Sequence, residues 1–206
     1  MIGLLLMAAL LFAEPIGPRL PPVEQCEAVP GFAAFRTELR AIIARQDEAA
    51  LLKLLSDDVE VNFGGDRGPE LFASNWKFAG SETSHVWKEL ATALERGCVP
   101  TGDALLAPSL DVQLPEELDP FETWIALPKA VLRQRPSDRA PAIAELDWEL
   151  LTTSSDFTDP NWLDVKLVDG RRGFVRLDQV ASPLGYRLVF EKRGGRWLIT
   201  AFVAGD

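Results

Sequence analysis

Asp66 and Glu70, in GGDRGPELF, are the side chains whose type and spacing come nearest to a reaction centre in this sequence. Set on the Gly64–Gly65 turn at a cleft edge near Trp76, they would bind a cation or a ligand amine. The competing assignment makes Asp66 the cap of the next helix, where a carboxylate meets free N–H groups and the positive end of the dipole. Nucleophile chemistry has less to work with. His85 is the only histidine, and it and Cys98 stand at opposite ends of an expected helix over 82–96. That is roughly 20 Å at about 1.5 Å per residue, too far for a thiolate and its base. His85 therefore reads as a partly exposed residue near a helix start, and Cys26, in EQCEA, has no nucleophile signature. No metal-ligand spacing, phosphate loop, dinucleotide fingerprint or nucleophile elbow occurs, and GGDRG is too short to cradle a phosphate. No metal and no cofactor are expected.

The cysteines have a simpler use. In an oxidising compartment Cys26 and Cys98 are the only possible intramolecular pair. Their bridge would stabilise the chain by roughly 4 kcal/mol on the chain-entropy argument; two buried thiols that never meet are the alternative. The N-terminus, MIGLLLMAALLFAEP, supplies a route to such a compartment. Its uncharged run is short of the ~20 residues a spanning helix needs. Small Ala13 precedes Glu14 and Pro15, as at a signal-peptide cleavage site. Residues 1–13 are thus expected to be a signal peptide, leaving no stable membrane span and a periplasmic or secreted protein. No Lys or Arg precedes the run, so an uncleaved anchor and an ordinary core helix are the rival readings.

A net charge of −10 limits the partners. Without a basic stripe to neutralise phosphates, nucleic acid is excluded as the expected ligand, and adhesion to anionic lipid is disfavoured for the same reason. The 47% hydrophobic fraction in turn gives 206 residues enough apolar material for a real core.

A Pro-rich leader (14–30) precedes a stretch of helical period from 31 to 55, where Phe32, Phe35, Leu39, Ile42, Ile43 and Leu51 share a face and Asp47 recaps the chain. VEVNF alternates as a strand, Pro69 suits the first position of a helix over PELFASNW, and Gly97 stops the helix over 82–96. Residues 31–98 are thus a mostly helical N-terminal part. A connector rich in Pro, Asp and Gly follows over 99–120. Beyond 121 the chain becomes short strands, with hairpins signed by Asp169–Gly170 and Gly194–Gly195. In the last strand Trp197, Ile199, Ala201 and Val203 are expected on one face, Leu198 and Phe202 on the other.

AVLRQRPSDRAPAIAEL (130–146) resembles the opening of bacterial SH3-like (SH3b) domains: an Arg after two apolar residues, a Pro-containing loop, then an apolar strand. WLDVKLVDGRRGFVRLDQVASP (162–183) resembles their second half, whereas ELDW around Trp148 departs from the family's usual Gly turn. The segments 54–76 and 185–206 resemble parts of uncharacterised secreted bacterial proteins that carry such a barrel. The resemblance implies an α+β fold, a small mostly helical N-terminal part followed by an SH3-like β-barrel over 121–206, extended by a C-terminal hairpin. It also implies an exported, non-catalytic binding protein of the cell envelope, with a peptidoglycan peptide or an envelope protein as partner. On such a barrel Trp148, Trp162 and Phe174 would grip the peptide, with Arg133 and Arg172 at the rim. The rivals are an envelope enzyme using Asp66 and Glu70, and a structural subunit betrayed by a large apolar patch.

Overall fold

The computed structural model describes residues 17–78, 84–153 and 159–205. The expected signal peptide, and Asp206, lie outside them. Gly31, at φ +82, opens α1 (Phe32–Arg45), and Gln46, at φ +53, closes it. The Asp47 side chain then accepts a hydrogen bond from Ala50 N at 3.0 Å and starts α2 (Glu48–Leu52). After β1 (Leu55–Glu60) come α3 (Pro69–Asn75), with Pro69 in its first turn, and α4 (Ser84–Glu95). The hairpin β2 (Val99–Thr101) and β3 (Ala104–Ala107) leads into the short α5 (Leu110–Gln113). Seven strands follow: β4 (Thr123–Ala126), β5 (Ala130–Arg133), β6 (Ala142–Leu146), β7 (Leu150–Thr152), β8 (Trp162–Lys166), β9 (Arg172–Arg176) and β10 (Val180–Ala181). A final hairpin, β11 (Tyr186–Arg193) and β12 (Arg196–Ala204), ends the fold.

The first sheet has the order β1-β12-β11-β3-β2, with β1 and β12 parallel and the other pairs antiparallel. The apolar stripes of α1 to α4 pack against it, and aromatic rings fill the space between. Phe32 meets Phe190 at 5.1 Å between ring centroids, Phe72 meets Phe202 at 6.2 Å, and Tyr186 stacks on Phe202 at 5.0 Å. The alternation expected along the last strand fails at one residue. Pairing shifts between Val189↔Ala201 and Phe190↔Ile199, leaving Thr200 as a bulge. A bulge moves one residue out of the ladder and reverses the facing of those beyond it. Ile199 and Phe202 thereby enter the same core.

The second sheet has the order β10-β4-β7-β8-β9-β5-β6 and buries Leu132, Leu146, Leu151, Leu163, Val165 and Val175 together. Its strand order has two ends, so among the described residues it is an open sheet and not a closed barrel. The expected fold class is corrected on two counts. There is no SH3-like barrel with a C-terminal hairpin added to it, because that hairpin pairs with β1 and β3 in the other sheet. Nor do the N-terminal helices form a part of their own, since the sheet they cover is completed by strands from the middle and end of the chain. The periodicity of a strand marks its buried face but not its neighbour.

The hairpin at Asp169–Gly170 is also one residue longer than expected. Leu167 N donates to Arg171 O and Gly170 N to Leu167 O, both at 2.9 Å, and Gly170 alone in the turn has positive φ. Three residues after it, the sheet requires the absence of a side chain. A Cβ on Gly173 would lie 2.4 Å from Arg133 O on the neighbouring strand. Gly173→Ala is expected to destabilise by about 1–3 kcal/mol, the usual cost of overpacking, read as a lower urea midpoint at unchanged slope. An unmoved midpoint would contradict this account.

The leader is a strap across both sheets. Leu20 N donates to Trp148 O and Leu150 N to Pro18 O, which ties the leader to the β7 end of the second sheet. A few residues on, Cys98 N donates to Val23 O and Gln25 N to Cys98 O, which ties it to the first. Cys26 and Cys98 form a disulfide at the same point, with their Cα atoms 5.5 Å apart.

Candidate functional site

The strap fixes the C-terminal end of α4. Gly97 sits at φ +77, and a Cβ there would come within 2.3 Å of Val23 O, so no other residue lets the leader pass this close. Ser109, fully buried, donates from N to Arg96 O at 3.0 Å and accepts from Val23 N at 2.9 Å through its hydroxyl. Backbone and disulfide together thus hold the residue just after α4, which is Arg96.

Arg96 lines a cleft of about 340 Å³ between α4 and the segment joining β10 to β11, where the two sheets meet. That volume is within the range of small-molecule sites, roughly 300–1,000 Å³, and the junction of two packed units is a common place for one. Apolar surface comes from Leu110 and Val180, and polar groups from Lys88, Thr92 and Tyr186. No described residue gives the Arg96 guanidinium a hydrogen bond or ion pair. Burial lowers its pKa, offset by the charges of Glu89 and Glu95, and it stays a cation. The Tyr186 phenol is pushed up by burial, and further by Glu89, so at neutral pH it is a protonated donor. Asp178, on the opposite lip, is engaged by Arg176 at 2.8 Å, which holds its carboxyl below the usual range. The cleft thus carries two cations that no hydrogen bond or ion pair among the described residues holds, Arg96 with the charges of Glu89 and Glu95 nearby and Lys88 with that of Asp178.

The residues singled out in the sequence fall elsewhere. Asp66 accepts from Asn62 Nδ2 at 2.8 Å in an exposed loop, while Gly68 occupies the cap position of α3 without side-chain help. Glu70 is exposed in the first turn of that helix, and neither carboxylate lines the cleft. Trp162, Phe174 and Arg172 share one face of the second sheet through the pairs Trp162↔Arg176, Asp164↔Phe174 and Lys166↔Arg172. Arg133 lies directly opposite Phe174 on β5. Trp162 is buried there, with Arg176 over its ring at 6.0 Å, and Arg133 donates to Ala140 O at 2.9 Å. Trp148 does not join them. It is a corner residue at φ +68, packed with Leu20, Leu110 and Leu150. Glu24, Cys26 and Cys98 come close enough together to suggest a metal site, but both sulfurs are spent in the disulfide.

No family model matches the chain, and no curated protein sequence matches it. Among solved structures it is similar to an NTF2-like protein of unknown function from Pseudomonas putida KT2440, at 10% identity, 88% of each chain and a TM-score of 0.33. It is also similar to a candidate ketosteroid isomerase from Shewanella frigidimarina NCIMB 400, at 13% identity, 85% of this chain, 96% of that one and a TM-score of 0.31. At such scores neither lends this chain an activity or a site residue. The resemblance to SH3b domains is not upheld: no such family model matches, and the strands that suggested it form an open sheet. The reading as an SH3-like peptide binder falls with it.

Sequence reasoning missed Arg96 and Tyr186. Tyr186 is the chain's only tyrosine, and Arg96 follows a helix where a cation complements the dipole. Nothing local ties the two together.

Proposed function

We propose that this chain is a binding protein for a small molecule carrying a carboxylate or phosphate, held in the cleft between its two sheets. The observation that carries this reading is Arg96, a half-buried guanidinium facing a cleft of about 340 Å³ with no described hydrogen-bond partner. The charges of Glu89 and Glu95 offset its desolvation only in part, and an incoming oxyanion would supply a directly bonded partner through bidentate geometry. The Tyr186 phenol and Lys88 would add donors, and the apolar wall would take the rest of the ligand. Residence in an oxidising compartment belongs to the same proposal and is supported by the Cys26–Cys98 disulfide.

Calorimetric titration with citrate, benzoate and inorganic phosphate tests the site, alongside native mass spectrometry for a co-purified anion. Arg96→Gln is expected to weaken binding roughly 10- to 100-fold, from the ~1.5–3 kcal/mol carried by a hydrogen bond to a charged group. Lys88→Gln, exposed at the rim, should cost less. Equal binding by Arg96→Gln, or no bound anion by either method, overturns the proposal.

A further inference from the structure

A second cavity shares no lining residue with the cleft. It is a trough of about 520 Å³ between the start of α1 and the tip of the β11–β12 hairpin. Phe35 and Trp197 form its apolar wall, and Lys53, Lys192 and Arg196 face it, against the one carboxylate of Glu38. In a chain of net charge −10 this is a local reversal of sign. Among the described residues none of the three cations has an ion-pair or hydrogen-bond partner, although Arg193 beside them is held by Asp58 and Glu191. The hairpin tip has its form from Gly194 and Gly195, both at positive φ, which set Arg193 opposite Arg196 and Lys192 opposite Trp197. Trp197 is fixed in turn by donating from Nε1 to Pro30 O at 3.3 Å. The ring is thus positioned before anything binds, while the three exposed cations stand around it without a partner.

The chain also carries the complement of this trough. The loop between α5 and β4 reads PEELDPFE, with Glu116, Glu117, Asp119 and Glu122 all exposed. At its tip Phe121 is 65% exposed, a large ring left in water without a local reason. The loop is ordered by its own bonds: Phe121 N donates to Asp119 Oδ1 at 2.8 Å, Glu122 N to Asp119 O at 3.2 Å, and Leu118 N to Pro115 O at 3.0 Å. Leu114 and Leu118 anchor it to the core beneath. An aromatic knob ringed by carboxylates and a cationic trough with a fixed aromatic wall are complementary in charge and in chemistry.

We infer that the trough receives Phe121 and its flanking carboxylates from a second copy of this chain. The contact is heterologous, knob of one copy into trough of the next, and it builds a ring or an open chain according to whether the rotation closes. Its dependence on salt separates it from unspecific association. Two acidic copies repel one another, so added salt favours unspecific contact, whereas attraction between knob and trough is screened as the Debye length falls from about 10 Å at 0.1 M to about 3 Å at 1 M.

Sedimentation velocity on the oxidised chain, run as a concentration series at low and high salt, provides the test. The expected result is a mass that grows with concentration at low salt and an apparent Kd raised about tenfold or more at high salt. Phe121→Ser, and separately Lys53→Glu with Arg196→Glu, should each abolish association while leaving the unfolding midpoint unchanged. Mixing those two variants should restore a complex that stops at one to one, because only one intact knob and one intact trough remain. Glu116→Lys with Glu117→Lys provides a second knob variant with the same expected loss. A monomer throughout the series, association that survives any of these variants, association strengthened by salt, or a mixture that fails to complement overturns the inference.

Discussion

Replacing Cys26 and Cys98 together by alanine is expected to lower the stability of the folded chain by about 4 kcal/mol, and to lower its melting temperature by about 8–16 °C at roughly 2–4 °C per kcal/mol for a chain of this size. The size follows from the 72 residues separating the cysteines. A bridge across so long a loop removes much of the unfolded chain's freedom. Alanine is the cleaner replacement, because the two side chains are 0% and 1% exposed and a serine hydroxyl would be buried without a partner. Reduction of the wild-type chain should reproduce the loss. The effect should also reach the cleft, since Cys98 is two residues from Arg96 and the leader passes Gly97 at backbone contact distance. Anion affinity is therefore expected to fall on reduction, even at temperatures where the chain stays folded. Coincident urea transitions for the oxidised chain, the reduced chain and the double alanine variant would show that the bridge adds nothing.

What the sequence made legible follows the range of the interaction. The helix breaks are local events, and they fell where the residues suggested: Asp47 capping α2, Pro69 opening α3, Gly97 ending α4. The Gly194–Gly195 turn is equally local, with both residues at positive φ as a two-residue hairpin requires. Strand partners are another matter. β1 pairs with β12 across most of the chain, and no alternation within either segment points to the other. The bulge at Thr200 is invisible for a related reason, because it depends on the register against Val189 and Phe190 and not on the type of residue 200. The leader offered no periodicity, since it joins the sheets by isolated bridges at Arg19 and Glu24. The sharing of a face by Trp162, Phe174 and Arg172 depends on the third residue of the turn, since a two-residue turn at Asp169–Gly170 would put Trp162 on the face away from Phe174 and Arg172. Trp148, turned aside at φ +68, stays apart from them in either register. The candidate cleft needed all the long-range pairings at once, because α4 and the β10–β11 segment come together only when both sheets are built.

Long-range packing also joins α1 to the first sheet, through the ring of Phe190. Phe190→Ala is expected to cost about 3–5 kcal/mol, the range for emptying a buried phenylalanine site. Phe190 is fully buried on β11, the central strand of the five, between Leu105 on β3 and Ile199 on β12. Its ring supports α1, meeting Phe32 at 5.1 Å and Phe35 at 5.8 Å, both edge-on, alongside Trp197, which meets Phe32 at 5.3 Å. Truncation leaves a void walled by rigid rings and sheet backbone, which relax little, so the cavity cost is kept. Phe63→Ala, at a ring 55% exposed, provides the contrast and should stay within about 0.5 kcal/mol of wild type apart from its contact with Arg187. Because Phe190 and Phe32 touch, their double alanine variant should depart from the sum of the single effects by about 0.5–3 kcal/mol. Hydrogen exchange would locate the loss, with amide protection falling along α1 before it falls in the second sheet. Uniform loss of protection, or a Phe190→Ala midpoint no lower than that of Phe63→Ala, would mean that α1 is not held to the sheet through this ring.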